Sequence, residues 1–250
     1  MISDFYDLPE LYDALLPATA HVSYYADLAR QASGDVLELA CGTGQLTVPI
    51  ASTGMPTVGL DLSAPMLTAA RQRAAAQKVS VQFVLGDMRN FDLGRRFALI
   101  FIARNSLLHL HSTEDLLAAF RAIRRHLAPG GIFAFDIFNP NVRLLARPPG
   151  QRYPVFEKQT ESFGQLSVEG TTAYDPATQV GYNRWYISGP GKPDAWVLNL
   201  DLRNIFPQEL PLLLAAGGLH LTSRVGDLSG TPFDSSSGLQ VCLGQARATD

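Results

Sequence analysis

Three acidic residues, Glu38, Asp61 and Asp87, each lie at the end of a short apolar run that predicts a β-strand. Because the carboxyl ends of parallel strands meet at one edge of an open α/β sheet, we expect the three side chains to share one crevice. Carboxylates attract ammonium groups and accept hydrogen bonds from hydroxyl and amino groups, but they repel phosphates. The spacing therefore predicts a site for a cationic, nucleoside-like ligand.

A glycine-containing loop follows the first of these strands, in the segment Val-Leu-Glu-Leu-Ala-Cys-Gly-Thr-Gly-Gln-Leu at positions 36–46. Gly42 and Gly44 permit positive φ and leave no Cβ to block the edge of a ligand. The third glycine of a dinucleotide fingerprint is missing, and no Lys-Ser/Thr pair follows as in a P-loop. The loop favours a ligand without phosphates, although a tight turn without any ligand is the alternative.

The other two acids have structural alternatives of their own. Asp61 is placed to accept the hydroxyl protons of a ribose, or simply begins the next helix. Asp87 is placed to accept a hydrogen bond from an exocyclic amine, or belongs to an ordinary turn. Leu62 and Met88, beside these acids, are predicted to sandwich a flat base between apolar surfaces.

The elements that must position these residues alternate between strands and helices. The predicted strands are almost continuously apolar, as in a parallel sheet that is buried on both faces. They are Val36–Leu39, Thr57–Leu60, Val81–Leu85, Ala98–Ile102 and Ile132–Phe138, with helices at Gln45–Ser52, Pro65–Gln77 and Thr113–Leu127. This alternation predicts a doubly wound, Rossmann-like α/β fold.

An antiparallel segment interrupts this pattern. Period-two alternation marks strands at Leu166–Tyr174, Val180–Ser188 and Trp196–Ile205, and more weakly at Tyr153–Glu161. A helix at Pro207–Ala216 and strands at Gly218–Val225 and Leu239–Gln245 then complete a mostly parallel, seven-stranded sheet. We predict a core domain of residues 1–152 and 207–250, with residues 153–206 inserted as an antiparallel β-lid.

Composition excludes several classes of protein. The 250 residues are 46% hydrophobic and carry 20 basic and 23 acidic side chains, a net charge of −3, which disfavours nucleic acid as a partner. Two cysteines without paired spacing predict neither a metal site nor a disulfide scaffold. Without a recognisable signal peptide or membrane span, the chain is expected to be cytoplasmic, and a monomer or homodimer.

The three acids and the glycine loop together resemble the class I S-adenosylmethionine-dependent methyltransferases. The resemblance continues in the fourth strand, Phe97–Ile102, and in the Leu-Ala-Pro-Gly-Gly-Ile-Phe passage at 127–133. It implies S-adenosyl-L-methionine as cofactor, with Glu38 at the methionyl ammonium, Asp61 at the ribose, and Asp87 with the Met88 backbone at the adenine.

A narrower resemblance is to the antibiotic-sugar N,N-dimethyltransferases and, more distantly, to glycine N-methyltransferase. It rests on Tyr12-Asp13, Tyr24-Tyr25, the segment 86–97 and the antiparallel insert. It implies that Tyr12 reaches the site and that Tyr24 or Tyr25 approaches the cofactor carboxylate. The segment Arg-Asn-Ser-Leu-Leu-His-Leu at 104–110 departs from those enzymes, so the resemblance does not identify the acceptor.

Catalysis of methyl transfer needs mainly positioning, with a general base only for a protonated acceptor. Tyr12, Asn105 and His109 are the predicted catalytic residues. The alternative for His109 is a packing role. Arg104 is predicted to hold the cofactor carboxylate or an acidic acceptor, and its alternative is a solvated residue at the end of a strand.

We therefore predict transfer of a methyl group to nitrogen or oxygen of a small soluble metabolite. A catalytically silent cofactor-binding module and an aminopropyltransferase on the same fold are the alternatives. The predicted cofactor-binding residues are Tyr25, Glu38, Ala40, Gly42, Gly44, Asp61, Leu62, Met66, Asp87, Met88 and Arg104.

Overall fold

The computed structural model describes residues 2–247. The strands are β1 Ile2–Asp4, β2 Val36–Leu39, β3 Thr57–Asp61, β4 Gln82–Leu85, β5 Phe97–Ile102, β6 Leu127–Phe138, β7 Tyr153–Thr160, β8 Gly164–Asp175, β9 Val180–Gly189, β10 Lys192–Asn199, β11 Leu202–Arg203, β12 Leu219–Val225 and β13 Leu239–Ala246. The helices are α1 Pro9–Leu15, α2 Thr19–Ala32, α3 Thr47–Ser52, α4 Ala64–Ala76, α5 Thr113–His126, α6 Val142–Leu145 and α7 Leu210–Ala216, with 3-10 turns at Phe5–Asp7 and Ser106–His109.

The central sheet has seven strands in the order β12-β13-β6-β5-β2-β3-β4. The ladder is parallel from β4 to β6, and β13 runs antiparallel to both of its neighbours. The chain winds outward from β2 to β4 and then returns to β5 on the other side of β2. This confirms the predicted doubly wound fold and places the point of reversal between β2 and β5, where such sheets bind ligands.

Helices cover both faces of this sheet, and β2 and β5 are therefore buried on both sides. On one face, α5 packs Leu116, Phe120 and Ile123 into the larger apolar cluster. On the other face, α2 contributes Tyr25 and Leu28 to a second cluster. The start of α4 is capped as the sequence predicts. The hydroxyl of Ser63 accepts a hydrogen bond from the backbone amide of Met66 and so acts as the N-cap.

A second sheet is built from the strands between Tyr153 and Arg203, in the order β10-β9-β8-β7, with β11 also on β9. The predicted single strand Trp196–Ile205 is divided in two: β10 ends at Asn199 and β11 begins at Leu202, and both pair with β9. The sheet also contains β1, which pairs in parallel with β10, whereas the sequence predicts residues 1–152 to belong to the core domain. The open edge of β10 supplies the backbone groups that β1 needs, and this nonlocal pairing leaves no local signal in the sequence.

Residues Phe5–Leu16, here called the N-terminal arm, connect the two sheets. Phe5, Leu11 and Leu15 are buried against Leu166 and Ile187 of the second sheet. On its other side the arm is bound to the core through polar groups, described below. No helix among residues 2–247 combines the length and apolar character required to cross a lipid bilayer.

Candidate active site

The loop that follows β2 turns sharply around the edge of the central sheet. Its backbone is left-handed at three alternate positions, with φ of +56° at Ala40, +54° at Gly42 and +72° at Gly44. Ala40 adopts this conformation despite its Cβ, which costs roughly 1–2 kcal/mol. Strain of this kind persists only where surrounding contacts impose it, and it is common at functional sites.

Asp61, at the end of β3, fixes the loop through its carboxylate. Its Oδ2 accepts a hydrogen bond from the amide of Gly42 at 2.7 Å, and its Oδ1 accepts one from the amide of Ser63 at 2.8 Å. Burial raises the pKa of this carboxyl above its ordinary value. A carboxylate has about four acceptor positions, so each oxygen retains capacity for a ligand hydroxyl.

A cleft of about 590 Å³ opens where the loop, β3, β4 and the 3-10 turn after β5 meet. Its volume lies within the range of small-molecule sites, roughly 300–1,000 Å³. The cleft gathers eight of the predicted site residues, namely Tyr12, Ala40, Gly42, Asp61, Leu62, Asp87, Met88 and His109. It also contains Tyr6, Asp7, Leu60, Ser63, Ala64, Pro65, Gly86, Arg89, Ser106 and Leu110, which were not predicted.

A small recess adjoins this cleft beside β2, and Glu38 and Arg104 line it. Tyr12, Ala40 and Ser106 line both spaces and so form the boundary between them. Only 3% of Glu38 is exposed, and its carboxylate accepts a hydrogen bond from the hydroxyl of Thr47. Burial raises the pKa of Glu38 to about 8, so the acid is poised to ionise when a cation enters the recess.

Arg104 is held in place from several directions. It and Asn105 have left-handed φ, +58° and +67°, and the amide of Arg104 donates to Asp136 Oδ2 at 3.0 Å. Its guanidinium donates to the carbonyl of Leu16 at 2.6 Å and lies over the ring of Tyr12, 5.3 Å from the centroid. The side chain thereby joins the N-terminal arm to the floor of the recess.

Asp136 is the buried centre that supports this arrangement. The hydroxyl of Tyr25 donates to its Oδ1 at 2.6 Å, and Nε2 of His21 lies 3.3 Å from Oδ2. Tyr25 is fully buried and stacks on Phe101 with 4.5 Å between ring centroids. Tyr25, predicted to touch the cofactor, thus contacts the backbone support of Arg104 instead of the cleft.

Three more predicted residues lie outside the lining of the cleft and the recess. Gly44 sits beneath the loop, where an added Cβ would meet the side chains of Ala70 and Val48 at 3.2 and 3.3 Å. Met66 is completely buried in α4. The side-chain carbonyl of Asn105 accepts a hydrogen bond from the amide of Phe138 at 2.6 Å, which secures the turn after β5.

The opposite end of the cleft is formed by Asp87 and Met88. Both oxygens of Asp87 accept hydrogen bonds from Arg89, whose guanidinium also donates to Asp115 of α5 at 3.0 Å. Arg89 lowers the pKa of Asp87, which is therefore ionised at neutral pH. Leu62 is 69% exposed at the rim, an unusual degree of exposure for a leucine. An apolar, acceptor-bearing end of this kind suits a flat heterocycle with an amino group.

Tyr6 is the functional candidate that sequence reasoning missed. Its hydroxyl lies 2.6 Å from Nε2 of His109, and the two rings meet edge to face with centroids 5.3 Å apart. The carbonyl of Tyr6 accepts a hydrogen bond from the hydroxyl of Ser63, which ties the arm to α4. The local signal is a pair of aromatic residues between acids in Asp-Phe-Tyr-Asp at positions 4–7, and that pattern does not indicate a partner 103 residues away in sequence.

The arm is bound to the glycine loop through Asp13, another residue without a predicted role. Its carboxylate accepts hydrogen bonds from the hydroxyl of Thr43 at 2.5 Å and from the side-chain Nε2 of Gln45 at 2.7 Å. It also forms an ion pair with Arg73 of α4. These contacts place the arm, with Tyr6 and Tyr12, across the opening of the cleft.

Comparison with known proteins agrees with this geometry. Residues 36–131 match a family model described as a methyltransferase domain. The dTDP-3-amino-3,4,6-trideoxy-alpha-D-glucopyranose N,N-dimethyltransferase of Streptomyces venezuelae is 38% identical over 120 residues, covering 47% of this chain and 49% of the relative. The chain spans about half the length of the first curated relatives it matches.

Two solved structures extend the similarity over nearly the whole chain. The CcbJ methyltransferase from Streptomyces caelestis has a TM-score of 0.79 and 29% identity, over 93% of this chain and 91% of that one. SAM-bound CalS10, an amino pentose methyltransferase from Micromonospora echinaspora, has a TM-score of 0.68 and 25% identity, over 89% of each chain. By its sheet order, its cleft and its matched domain, this chain is similar to the class I S-adenosylmethionine-dependent methyltransferases.

Proposed function

We propose that this protein is an enzyme that transfers a methyl group from S-adenosyl-L-methionine to an amino nitrogen of a small molecule. The observation that carries the proposal is the convergence of the acids that end β2, β3 and β4 on one cleft and its adjoining recess. The arrangement suits a ligand with an ammonium group, a ribose and an aminated base, and it offers no cluster of donors for phosphate.

The residues present fit this cofactor. Glu38 is a buried carboxyl whose hydrogen bond comes from one hydroxyl, so an ammonium group in the recess would compensate its charge. Asp61 retains acceptor positions for ribose hydroxyls, while Asp87, Met88 and Leu62 suit an adenine. When bound, the cofactor supplies an electrophilic methyl group on a sulfonium.

The contribution of the chain to the reaction is to orient the acceptor and exclude water. An in-line displacement benefits from proximity by up to about 7–11 kcal/mol of barrier. The hydroxyl of Tyr6 and the imidazole of His109 line the cleft as a hydrogen-bonded pair, and the ring of Tyr12 lies at the boundary with the recess. We assign this group to the acceptor: the pair accepts the proton that an incoming or newly methylated amine must lose.

Residues 153–206 are proposed to act as the lid over the acceptor. Support comes from the N-terminal arm, which packs on this second sheet through Phe5, Leu11 and Leu15 and presents Tyr6 and Tyr12 to the cleft. The amino group of Lys158 also donates to the carbonyl of Leu15 at 3.1 Å. Motion of the sheet would therefore move the residues assigned to the acceptor.

We propose an amino sugar as the acceptor class. The names of the Streptomyces venezuelae relative and of CalS10 describe methylation of amino-bearing sugars. The turn at 104–110 lines the cleft beside the residues assigned to the acceptor, and its sequence departs from the usual one of amino-sugar methyltransferases. The individual sugar is therefore not assigned.

A cytoplasmic location and a monomeric or homodimeric state are retained as predictions. Light scattering after gel filtration tests the oligomeric state.

The experiment is a turnover assay with a panel of paired acceptors. Purified protein and S-adenosylmethionine are mixed with nucleotide-linked amino sugars and with the matched hydroxy sugars, and formation of S-adenosylhomocysteine is followed. We expect turnover with at least one amino member and none with its hydroxy counterpart. Tight cofactor binding without turnover of any amine would instead favour a catalytically silent binding module. His109→Gln, purified in the same way, is the control that distinguishes this enzyme's turnover from a contaminating activity.

A further inference from the structure

A second cavity, larger than the cofactor cleft, lies at the opposite edge of the central sheet. It has a volume of about 800 Å³ and is formed by the amino ends of β5 and β6, the carboxyl end of α5 and the end of β13. Five arginines line it, and we call it the arginine cleft: Arg96, Arg121, Arg124, Arg125 and Arg247. β5 spans about 20 Å at roughly 3.3 Å per residue, so this cavity is remote from the reacting methyl group.

Among residues 2–247, no acidic side chain lines the arginine cleft. Within residues 2–247, none of its five guanidinium groups has a carboxylate within ion-pair distance or a side-chain hydrogen bond. Elsewhere in the described chain, exposed arginines such as Arg30, Arg89 and Arg152 are paired with acids. Asp92 shares an adjoining pocket with Arg96 and Arg125 and interacts electrostatically with Arg125, so the charge is neutralised only in part. Within residues 2–247, a chain of net charge −3 has thus gathered five arginines around one concavity that has no carboxylate in its lining.

The ordinary role of basic residues at a helix end explains only part of this cluster. Arg124 and Arg125 occupy the last turn of α5, where cations interact favourably with the helix dipole. Arg96 precedes β5 and Arg247 follows β13, so neither belongs to a helix terminus. Three separate elements bring their arginines to the same cavity, which indicates an anionic ligand.

The remaining lining indicates which kind of anion. Pro129, Gly130 and neighbouring backbone form one wall. Gly130 has a φ of +74°, and its carbonyl accepts a hydrogen bond from the side-chain Nε2 of Gln245. In the described part of the chain no aromatic side chain lines the cavity, so no ring is available there to stack on a base. Guanidinium groups match phosphate oxygens in bidentate geometry. The concave distribution of charge favours a compact ligand over an extended nucleic acid.

We propose that the arginine cleft is a binding site for a small ligand with two or more linked phosphate groups. This site is separate from the proposed methyl transfer and does not depend on it. Helix α5 connects the two regions physically, because Asp115 near its start binds Arg89 of the cofactor cleft and its last turn carries Arg124 and Arg125.

Isothermal titration calorimetry with inorganic tripolyphosphate, in buffer with 150 mM salt (about 8 Å Debye length), tests the proposal. The full chain should bind tripolyphosphate with one-to-one stoichiometry. Arg121→Gln/Arg125→Gln should raise the Kd at least tenfold, because hydrogen bonds to charged groups are stronger than those between neutral groups. Arg143→Gln/Arg184→Gln, which removes two exposed arginines elsewhere, should leave the Kd unchanged. S-adenosylhomocysteine binding should persist in both double variants, which shows that they are folded.

Three results would overturn the proposal. The first is absence of tripolyphosphate binding by the wild-type chain at millimolar concentration. The second is equal loss of affinity in the two double variants, which would indicate only nonspecific attraction. The third is binding of long heparin or duplex DNA without binding of tripolyphosphate, which would make the cleft part of a surface for macromolecules.

Discussion

At the scale of single residues, the most informative group is Glu38. A carboxyl with so little access to water resists ionisation, and burial raises its pKa from 4.5 to about 8. Because the folded state holds the proton more tightly than the unfolded chain, this group stabilises the unliganded fold most below about pH 4.5. That contribution is lost as the pH rises toward 8. Glu38 is therefore suited to bind a cation, but its burial lowers the stability of the unliganded protein as the pH rises.

The first prediction concerns the pH dependence of cofactor binding. Affinity for S-adenosylhomocysteine should rise with pH, by up to about tenfold per unit between pH 6 and 8, because the ammonium group requires ionised Glu38. Glu38→Gln should bind weakly and without this slope. Asp87→Asn is the matched control, since Asp87 has a lowered pKa and is ionised throughout this range. A slope that survives in Glu38→Gln would assign the titration to another group.

The second prediction separates Tyr25 from its neighbour Tyr24. Tyr25→Phe removes the hydroxyl that donates to buried Asp136, and should lower the free energy of unfolding by about 1–3 kcal/mol. Because Asp136 also holds the amide of Arg104, affinity for S-adenosylhomocysteine should fall as well. Tyr24→Phe should change both far less. Denaturant unfolding and calorimetry measure the two effects, and equal losses in both variants would argue against the role of Asp136.

At the scale of elements, the glycine loop shows how two residues of one type serve different purposes. Gly42 and Gly44 both have left-handed φ. The space around a Cβ at Gly42 is open, and Gly42 lines the cofactor cleft. A Cβ at Gly44 would press on Ala70 and Val48. Gly42 therefore leaves room for a ligand, and Gly44 allows the loop to pack on α3 and α4.

The third prediction follows from this difference. Gly42→Ala and Gly44→Ala both incur the penalty of a left-handed alanine, about 1–2 kcal/mol. Gly44→Ala should lose further stability through crowding, with a melting temperature clearly below that of Gly42→Ala. Gly42→Ala should show the larger loss of S-adenosylhomocysteine affinity per unit of stability lost. If the ranking of the two melting temperatures were reversed, the assigned packing of the loop would be wrong.

Local sequence patterns predict elements whose determinants lie close together in the chain. The apolar runs at β2, β3 and β5, the N-cap at Ser63 and the glycine loop all belong to this class. The acids that end β2 to β4 could be predicted as a group because parallel strands share an edge. The pairing of β1 with β10 and the contact of Tyr6 with His109 could not, because they join distant segments. The sequence predicts that Tyr25 touches the cofactor, but its hydroxyl binds Asp136, which lies 111 residues away in sequence.

At the scale of the whole molecule, the N-terminal arm couples the two sheets, in addition to the direct contacts that Asp201 and Arg203 make with His111 and Thr113. Its apolar residues belong to the second sheet, while Asp13 belongs to the loop of the central sheet. Both tryptophans of the chain, Trp185 and Trp196, contact this apolar cluster. Tryptophan emission therefore reports on the region where the arm meets the proposed lid.

The fourth prediction uses that signal. Phe5→Ala removes a buried ring 6.0 Å from that of Trp185, so it should shift tryptophan emission to the red and cost about 3–5 kcal/mol of stability. Because Tyr6 follows directly, methyl transfer should fall more than S-adenosylhomocysteine binding. Leu212→Ala, at a residue 71% exposed on α7, is the control and should alter neither. Unchanged emission in Phe5→Ala would contradict the described packing of the arm.

The central claim is that the acids at the ends of the first strands of the central sheet bind S-adenosylmethionine. Calorimetry with S-adenosylhomocysteine on the wild type, Asp61→Ala/Asp87→Ala and the exposed control Glu161→Gln tests it most directly. We predict one site per chain in the wild type and the control, and at least a hundredfold loss of affinity in the double variant, whose fold circular dichroism verifies. Absence of binding by the wild type, or undiminished binding by the double variant, would contradict the claim.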